Sequence, residues 1–146
     1  MVRPAPHRSR VLLACTRDSA HSLRRALVGV DADITCAYSK EEALARVECA
    51  DVVVCSLRFD ESRMLDFVAQ VARERPSLPF LCCQVTDSDL REPSLDAAFT
   101  AADHLGAVAV LNLFQLARRE GTRRAEQALR DAVVSHLHDV GHASMS

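Results

Sequence analysis

Five short apolar runs alternate along the chain with stretches in which apolar residues recur at helical spacing. The runs occupy residues 11–15, 34–38, 51–57, 78–83 and 107–111. Runs of this length, bounded by polar residues, are typical of strands that are buried on both faces of a parallel sheet. Strands that alternate with helices are joined by crossovers, which place helices on both faces. We therefore predict one α/β domain, a five-stranded doubly wound parallel sheet in a three-layer sandwich.

Polar residues that can cap helices stand directly after several of these runs. Asp18 or Ser19 can cap the first helix, and Ser39 can cap the second. The start of the last helix stays ambiguous, because Asn112 and Thr122 are both suitable caps. Apolar residues stop recurring after residue 139. We therefore expect the domain to span residues 10–139, with a flexible lead-in at 1–9 and a loose tail at 140–146.

Composition and charge are those of an ordinary globular domain, with 49% hydrophobic residues, 26% charged residues and a net charge of −2. So small a charge provides no global field that would recruit nucleic acid or an anionic membrane. No apolar run approaches the roughly 20 residues that span a bilayer. The apolar run after the basic start is also too short for a signal peptide. We therefore expect a cytoplasmic protein with no membrane partner.

Five of the six cysteines fall inside the apolar runs, where free cysteine behaves as a small hydrophobic residue. No pair has the spacing of a CxxC motif, and no cysteine and histidine have zinc-finger spacing. These observations predict buried, reduced thiols, no metal site and no cofactor. A redox role for the adjacent Cys82 and Cys83 is the alternative. Neighbouring strand residues point to opposite faces, however, which strains a disulfide between them.

The third run and two later features resemble a known family. Residues 51–60, the position of Pro79, and Gly106 with Ala107 before the fifth run are similar to the receiver domain of bacterial two-component response regulators. The resemblance covers residues 9–137 and implies a flavodoxin-like fold. In that family an aspartate on the third strand accepts a phosphoryl group, and two acidic residues after the first strand hold Mg²⁺. A hydroxyl after the fourth strand and a lysine after the fifth bind the phosphoryl oxygens.

Every one of these positions carries a different residue in this chain. In chain order they are Cys15 and Thr16 for the acidic pair, Ser56 for the aspartate, Gln84 for the hydroxyl, and Leu113, with Asn112 beside it, for the lysine. The one lysine, Lys40, precedes the second helix. Asp18 is a lone carboxylate, which makes a poor magnesium site, and Asp60 is expected to face solvent or cap a helix. The resemblance thus implies a degenerate receiver, a pseudo-receiver, that accepts no phosphoryl group, binds no metal and is not an enzyme.

Two further departures indicate a role in binding protein. Val110 stands where receivers carry an aromatic residue that changes rotamer, and residues 84–106 and 114–121 contain added segments. Receivers commonly bind partners through the fourth helix, the fifth strand and the last helix. The resemblance therefore implies a partner surface that contains Val110, Arg118, Arg119, Arg123 and Arg124. The expected partner is a sensor kinase, a transcription factor or a second copy in a homodimer.

Two other functions stay open. A flavodoxin-like sheet can bind a small molecule at the carboxyl ends of its strands, but no glycine-rich phosphate loop follows the first strand. The chain also has only one tyrosine and no tryptophan with which to stack on a ring. Nucleic-acid binding through the arginines of residues 118–130 is disfavoured, because Glu120, Glu126 and Asp131 interleave with them.

Overall fold

A parallel sheet forms the centre of the structure, a computed structural model that describes residues 9–86 and 92–145. The strands are β1 (Arg10–Ala14), β2 (Asp33–Ala37), β3 (Val52–Ser56), β4 (Phe80–Gln84) and β5 (Ala109–Asn112). Their order in the sheet is β2-β1-β3-β4-β5, and all neighbouring pairs are parallel. The predicted doubly wound α/β sheet is confirmed.

Helices follow each strand and cover both faces of the sheet. They are α1 (Arg17–Ala26), α2 (Lys40–Arg46), α3 (Phe59–Ser62), α4 (Met64–Glu74), α5 (Glu92–His104), α6 (Leu113–Glu120) and α7 (Thr122–Met145), with a 3-10 turn at Val47–Cys49. Residues of β3 alternate between two cores: Val54 packs in the core formed with α1 and α7, and Val53 in the core formed with α2, α4 and α5. Both faces of the central strands are thus covered, which explains their continuous apolar runs.

The cap of α1 lies two residues before the nearer of the predicted caps. Thr16, rather than Asp18 or Ser19, is the N-cap: its Oγ1 accepts a hydrogen bond from the Ser19 amide at 3.1 Å. Strand β1 ends at Ala14, so Thr16 has the extended backbone that an N-cap needs. The prediction for α2 is confirmed, because the Ser39 hydroxyl accepts a hydrogen bond from the Glu42 amide at 3.1 Å.

The two possible starts of the last helix belong to two separate helices. Asn112 caps α6, and α7 begins at Thr122. Gly121 separates them with φ of +98°, a conformation that glycine adopts without steric cost. The backbone of α7 is helical to Met145, past residue 139, where we expected a loose tail; no proline interrupts it. No helix within the described part of the chain is long and apolar enough to cross a membrane. Of the expected lead-in, residues 1–8 lie outside the described residues.

Helix α7 is tied to the end of α1 by one arginine. The Arg130 guanidinium donates hydrogen bonds to the carbonyl oxygens of Ala26, at 3.3 Å, and Val28. Carbonyl groups at a helix C-terminus lack partners within the helix and carry partial negative charge, so a cation stabilises them. The chain turns at Gly29 with φ of +88°, and an added Cβ there would lie 3.8 Å from the Arg130 guanidinium. Arg130 is therefore a structural residue.

All six cysteines are free, and five are buried as predicted. Cys82 and Cys83 contact opposite cores, so their side chains point away from each other. Burial raises the pKa of the Cys82 thiol to about 12 and raises the pKa of Cys83 further. These thiols therefore stay protonated, and unreactive, at neutral pH.

Only Cys49 is exposed among the six cysteines, and it is expected to be the one that reacts rapidly with a thiol reagent in the native protein. The other five should react only after denaturation, because the attacking thiolate is disfavoured by burial. Absorbance of a released chromophore, with peptide mapping of the labelled site, measures this. Rapid native labelling of both Cys82 and Cys83 would restore the redox alternative.

Candidate functional site

The carboxyl ends of the strands form the edge of the sheet at which doubly wound folds bind their ligands. The sheet order reverses between β1 and β3, so the crevice opens next to the ends of these two strands. Ser56 ends β3, Gln84 ends β4 and Asn112 ends β5. Cys15 and Thr16 directly follow β1, and Leu113 directly follows β5. The structure thus places all six predicted positions at one edge of the sheet.

The acidic-pair positions contain no anionic oxygen. The Cys15 thiol is buried and donates a long hydrogen bond to the Leu13 carbonyl oxygen at 3.8 Å. Burial, with a contribution from Cys36, raises the pKa of Cys15 to about 12, so this thiol is neutral at pH 7. The Thr16 hydroxyl donates to Ser19 Oγ at 2.9 Å and accepts from the Ser19 amide. Magnesium prefers several oxygen ligands, which these two residues do not supply.

The nucleophile position is closed to solvent. Ser56 is only 2% exposed, and its Oγ makes no hydrogen bond with any residue that the structure describes. A serine hydroxyl attacks only when a neighbouring base removes its proton. Among the described residues, no three His, Cys, Asp or Glu side chains come together in a metal-binding group. Ser56 thus has neither the access nor the activation that covalent chemistry needs.

Gln84 occupies the hydroxyl position on the neighbouring strand. Its Nε2 donates to the Thr86 carbonyl oxygen at 3.1 Å, while its buried Oε1 has no partner among the described residues. An unpaired buried polar atom costs about 1–3 kcal/mol. Such atoms therefore stand at the ends of two adjacent strands, β3 and β4, at the point where a receiver holds its phosphoryl group.

The lysine position holds no cation. Leu113 is 7% exposed and packs into the core formed with α1 and α7. The Asn112 Oδ1 accepts a hydrogen bond from the Gln115 amide at 2.9 Å, so this side chain serves as the cap of α6. Lys40 begins α2, which follows β2. Strands β2 and β5 are the two outermost strands of the sheet, so Lys40 follows the strand farthest from β5.

Asp60 caps a helix, one of the two roles expected for it. Its Oδ2 accepts a hydrogen bond from the backbone amide of Lys40 at 2.7 Å, which connects the segment after β3 to the start of α2. Its φ of 46° lies in the left-handed region, which aspartate tolerates better than most residues. The other nearby carboxylate, Asp18, is exposed on α1. The sequence contained no signal for the contact between Asp60 and Lys40, because the two residues are distant in the chain.

The predicted partner residues do not form one patch. Val110 contacts the core formed with α2, α4 and α5. Helix α6 contacts the other core and packs along α7, so the arginines lie where α6 meets α7. All four are exposed: Arg118, Arg119, Arg123 and Arg124. The added segment at residues 114–121 therefore extends the face built from α1 and α7, whereas Val110 belongs to the layer of α5.

Comparison with known proteins identifies the fold. No family model and no curated protein matches the chain. A response regulator receiver protein from Pseudoalteromonas atlantica matches with a TM-score of 0.68 and 14% identity, over 90% of this chain and 98% of that chain. A signal receiver domain of an HD domain-containing protein from Pseudomonas fluorescens matches with a TM-score of 0.64 and 15% identity, over 96% and 97% of the two chains. A chemotaxis response regulator of Vibrio cholerae matches with a TM-score of 0.60 and 18% identity, over 86% and 98%.

The chain therefore has the fold of response-regulator receiver domains, as its resemblance implied. At these identities the likeness concerns the fold, and the function has to be argued from the site.

Proposed function

We propose that this chain is a pseudo-receiver, a protein-interaction module of bacterial signalling or transcription control that works in the cytoplasm without phosphorylation. The observation that carries the proposal is the burial of two central positions, with Ser56 2% and Leu113 7% exposed. A phosphoryl group needs an exposed acceptor, a metal and a cation at this edge of the sheet. In this chain the acceptor position, Ser56, is closed to solvent. The metal positions, Cys15 and Thr16, are neutral, and the cation position, Leu113, is part of the core.

A domain of this kind would function through its surface, because the described residues at the carboxyl ends of the strands arrange no catalytic group. The partner that suits such a domain is a sensor kinase, a transcription factor or a second copy of the chain. In this view the domain is held in one state, since the positions that a receiver uses to change state are occupied by Gln84 and Val110. Neither side chain can perform the switch of a hydroxyl coupled to an aromatic ring.

The first test is incubation with acetyl phosphate and Mg²⁺, followed by intact-mass measurement. We expect no gain of a phosphoryl group, because Ser56 stands at the acceptor position and the described residues form no metal-binding group. A receiver domain with an intact acceptor site, treated in the same tube series, shows that the donor is active. A stoichiometric phosphoryl adduct on any aspartate would refute the proposal.

A further inference from the structure

The added helix α6 forms one side of a pocket. The pocket lies between α1, α6 and the start of α7, and its volume is about 220 Å³. Its floor is apolar and nearly buried, with Leu23, Leu113, Ala125 and Leu129 each less than 10% exposed. Ala117 of α6, which is half-buried, forms one wall. The pocket is therefore hydrophobic inside and open to the surface between the three helices.

Polar residues surround the opening. His21, Ser22 and Arg25 of α1 stand on one side and Thr122 and Glu126 of α7 on the other. Arg25 Nε lies 3.4 Å from Glu126 Oε2, so an ion pair links the two helices beside the pocket. Binding sites for protein side chains commonly have this arrangement, an apolar centre inside a polar rim.

The segments that form the pocket are basic. Helix α1 carries three arginines and one aspartate, and residues 113–126 carry four arginines and two glutamates, a net charge of +4 in a chain whose total is −2. Arg24, Arg119 and Arg123 are exposed and form no ion pair with a carboxylate of the described residues. Arginines without counter-ions attract negative charge within about 10 Å at ordinary ionic strength. The partner that complements this surface is therefore acidic.

We propose that the pocket between α1, α6 and α7 docks an acidic segment of a partner protein, which inserts one leucine or phenylalanine side chain. The inference rests on the proposed function, since it names the partner chemistry of the interaction module. The pocket is smaller than the roughly 300–1,000 Å³ of a typical small-molecule site, and it suits a single apolar side chain. Interface energy is concentrated in such buried anchors, while surrounding charges accelerate association.

A protein segment fits this surface better than nucleic acid does. Glu120 and Glu126 interleave with the arginines, and Glu120 Oε1 lies 3.7 Å from the Arg124 Nε. These carboxylates interrupt the row of cations, and the binding of a phosphate backbone depends on a run of unopposed cations. A phosphate backbone also carries no apolar side chain that could fill the pocket. A peptide that carries both an apolar residue and acidic residues meets the pocket and the arginines together.

Selection of a random dodecapeptide library on the full chain, without phosphoryl donor, tests the proposal directly. We expect the selected peptides to share one leucine or phenylalanine flanked by Asp or Glu. A synthetic peptide of that consensus should bind saturably, as measured by fluorescence anisotropy. Replacement of its apolar residue with serine should weaken binding at least about tenfold, which is the usual effect of removing a buried anchor.

Variants of the chain locate the binding. Ala117→Phe and Ser22→Phe each place a ring at the pocket, and both should weaken the binding of the consensus peptide at least about tenfold. Ala72→Phe is the matched control and should have no effect, because Ala72 lines a different cavity, formed by α4 with residues 76–80 and 105–108. Two pocket variants are used so that a folding defect in one, detected by circular dichroism, still leaves a valid test.

Charge reversal separates the contribution of the arginines to peptide binding from that of the pocket. Arg119→Glu with Arg123→Glu should weaken peptide binding about tenfold at low salt, mainly through a slower association rate, and much less at high salt. Arg73→Glu with Arg75→Glu makes the same change of charge at the C-terminal end of α4, in the opposite helix layer, and should have little effect on peptide binding.

Four results would overturn the docking proposal: no enriched peptide, a consensus without acidic or without apolar residues, equal binding by the pocket variants, or tighter binding of duplex DNA than of the peptide. Self-association that buries this face, detected by sedimentation and abolished by Ala117→Phe, would also replace it. The acetyl phosphate experiment is independent. A phosphoryl adduct would refute the proposed function and leave the peptide result standing, and failed enrichment would leave the proposed function standing.

Discussion

Replacing Ser56 with aspartate, the residue that a receiver carries at this position, is expected to lower the free energy of unfolding by about 3–5 kcal/mol, as an unpaired buried charge does. Ser56 is 2% exposed, so a carboxylate there loses its hydration. Three described residues at this end of the sheet offer no compensation, because Cys15 and Thr16 are neutral and Leu113 is apolar. The variant is also expected to remain unphosphorylated by acetyl phosphate. Urea unfolding followed by circular dichroism measures the stability.

Two controls separate charge from size at this position. Ser56→Asn adds nearly the same volume without the charge and is expected to cost less than Ser56→Asp. Ser56→Ala removes a hydroxyl that has no partner among the described residues, and it should be neutral or stabilise the protein by up to about 1 kcal/mol. If Ser56→Asp unfolds at the wild-type urea concentration and gains a phosphoryl group, the position is an open acceptor site and the proposed function is wrong.

Raising the pH above 9 is expected to unfold the protein through its buried thiols. Burial raises the pKa of Cys15 and Cys82 to about 12, and it also raises the pKa of Cys55 and Cys83. The folded state therefore keeps protons that the unfolded state releases above its own thiol pKa. The stability that the neutral thiols contribute is complete below pH 9 and is lost as the pH rises toward 12.

The free energy of unfolding is expected to fall steeply with pH above pH 9. Each such thiol removes about 1.4 kcal/mol per pH unit in this range, so four remove about 5 kcal/mol per unit. A domain with an ordinary stability of about 5–15 kcal/mol then unfolds within a few pH units above pH 9. Urea unfolding at pH 8, 9, 10 and 11 gives the slope directly.

A cysteine variant shows whether the thiols cause the loss. Cys55→Ala with Cys83→Ala removes two of the four groups and should halve the slope, although the cavities lower stability at pH 8 as well. Cys49→Ala changes the exposed cysteine and should leave the slope unchanged. If the Cys55 and Cys83 double variant keeps the wild-type slope of unfolding free energy against pH, another group controls the alkaline transition.

The sequence by itself determined the sheet and the identity of the residues at its carboxyl edge. Hydrophobic periodicity is a local property, and each run was long enough to specify a strand with both faces covered. Parallel strands place their ends at one edge, and the resemblance to receiver domains assigned Ser56, Gln84 and Leu113 to positions at that edge. The cap at Ser39 and the helix starts near Asn112 and Thr122 were also local signals, although the sequence did not show that the last two begin separate helices.

Only the tertiary structure decided how these residues are used, because their surroundings come from distant parts of the chain. The depth of Ser56 depends on β4, which pairs with it through Cys83, and the direction of Leu113 depends on α1. The bond from Arg130 to Ala26 joins residues 104 positions apart, which no local pattern reveals. The same long-range packing places α6 against α1 and α7, separates Val110 from the arginines and creates the pocket. Local periodicity specifies which element forms, whereas the side chains that meet across elements depend on how those elements pack.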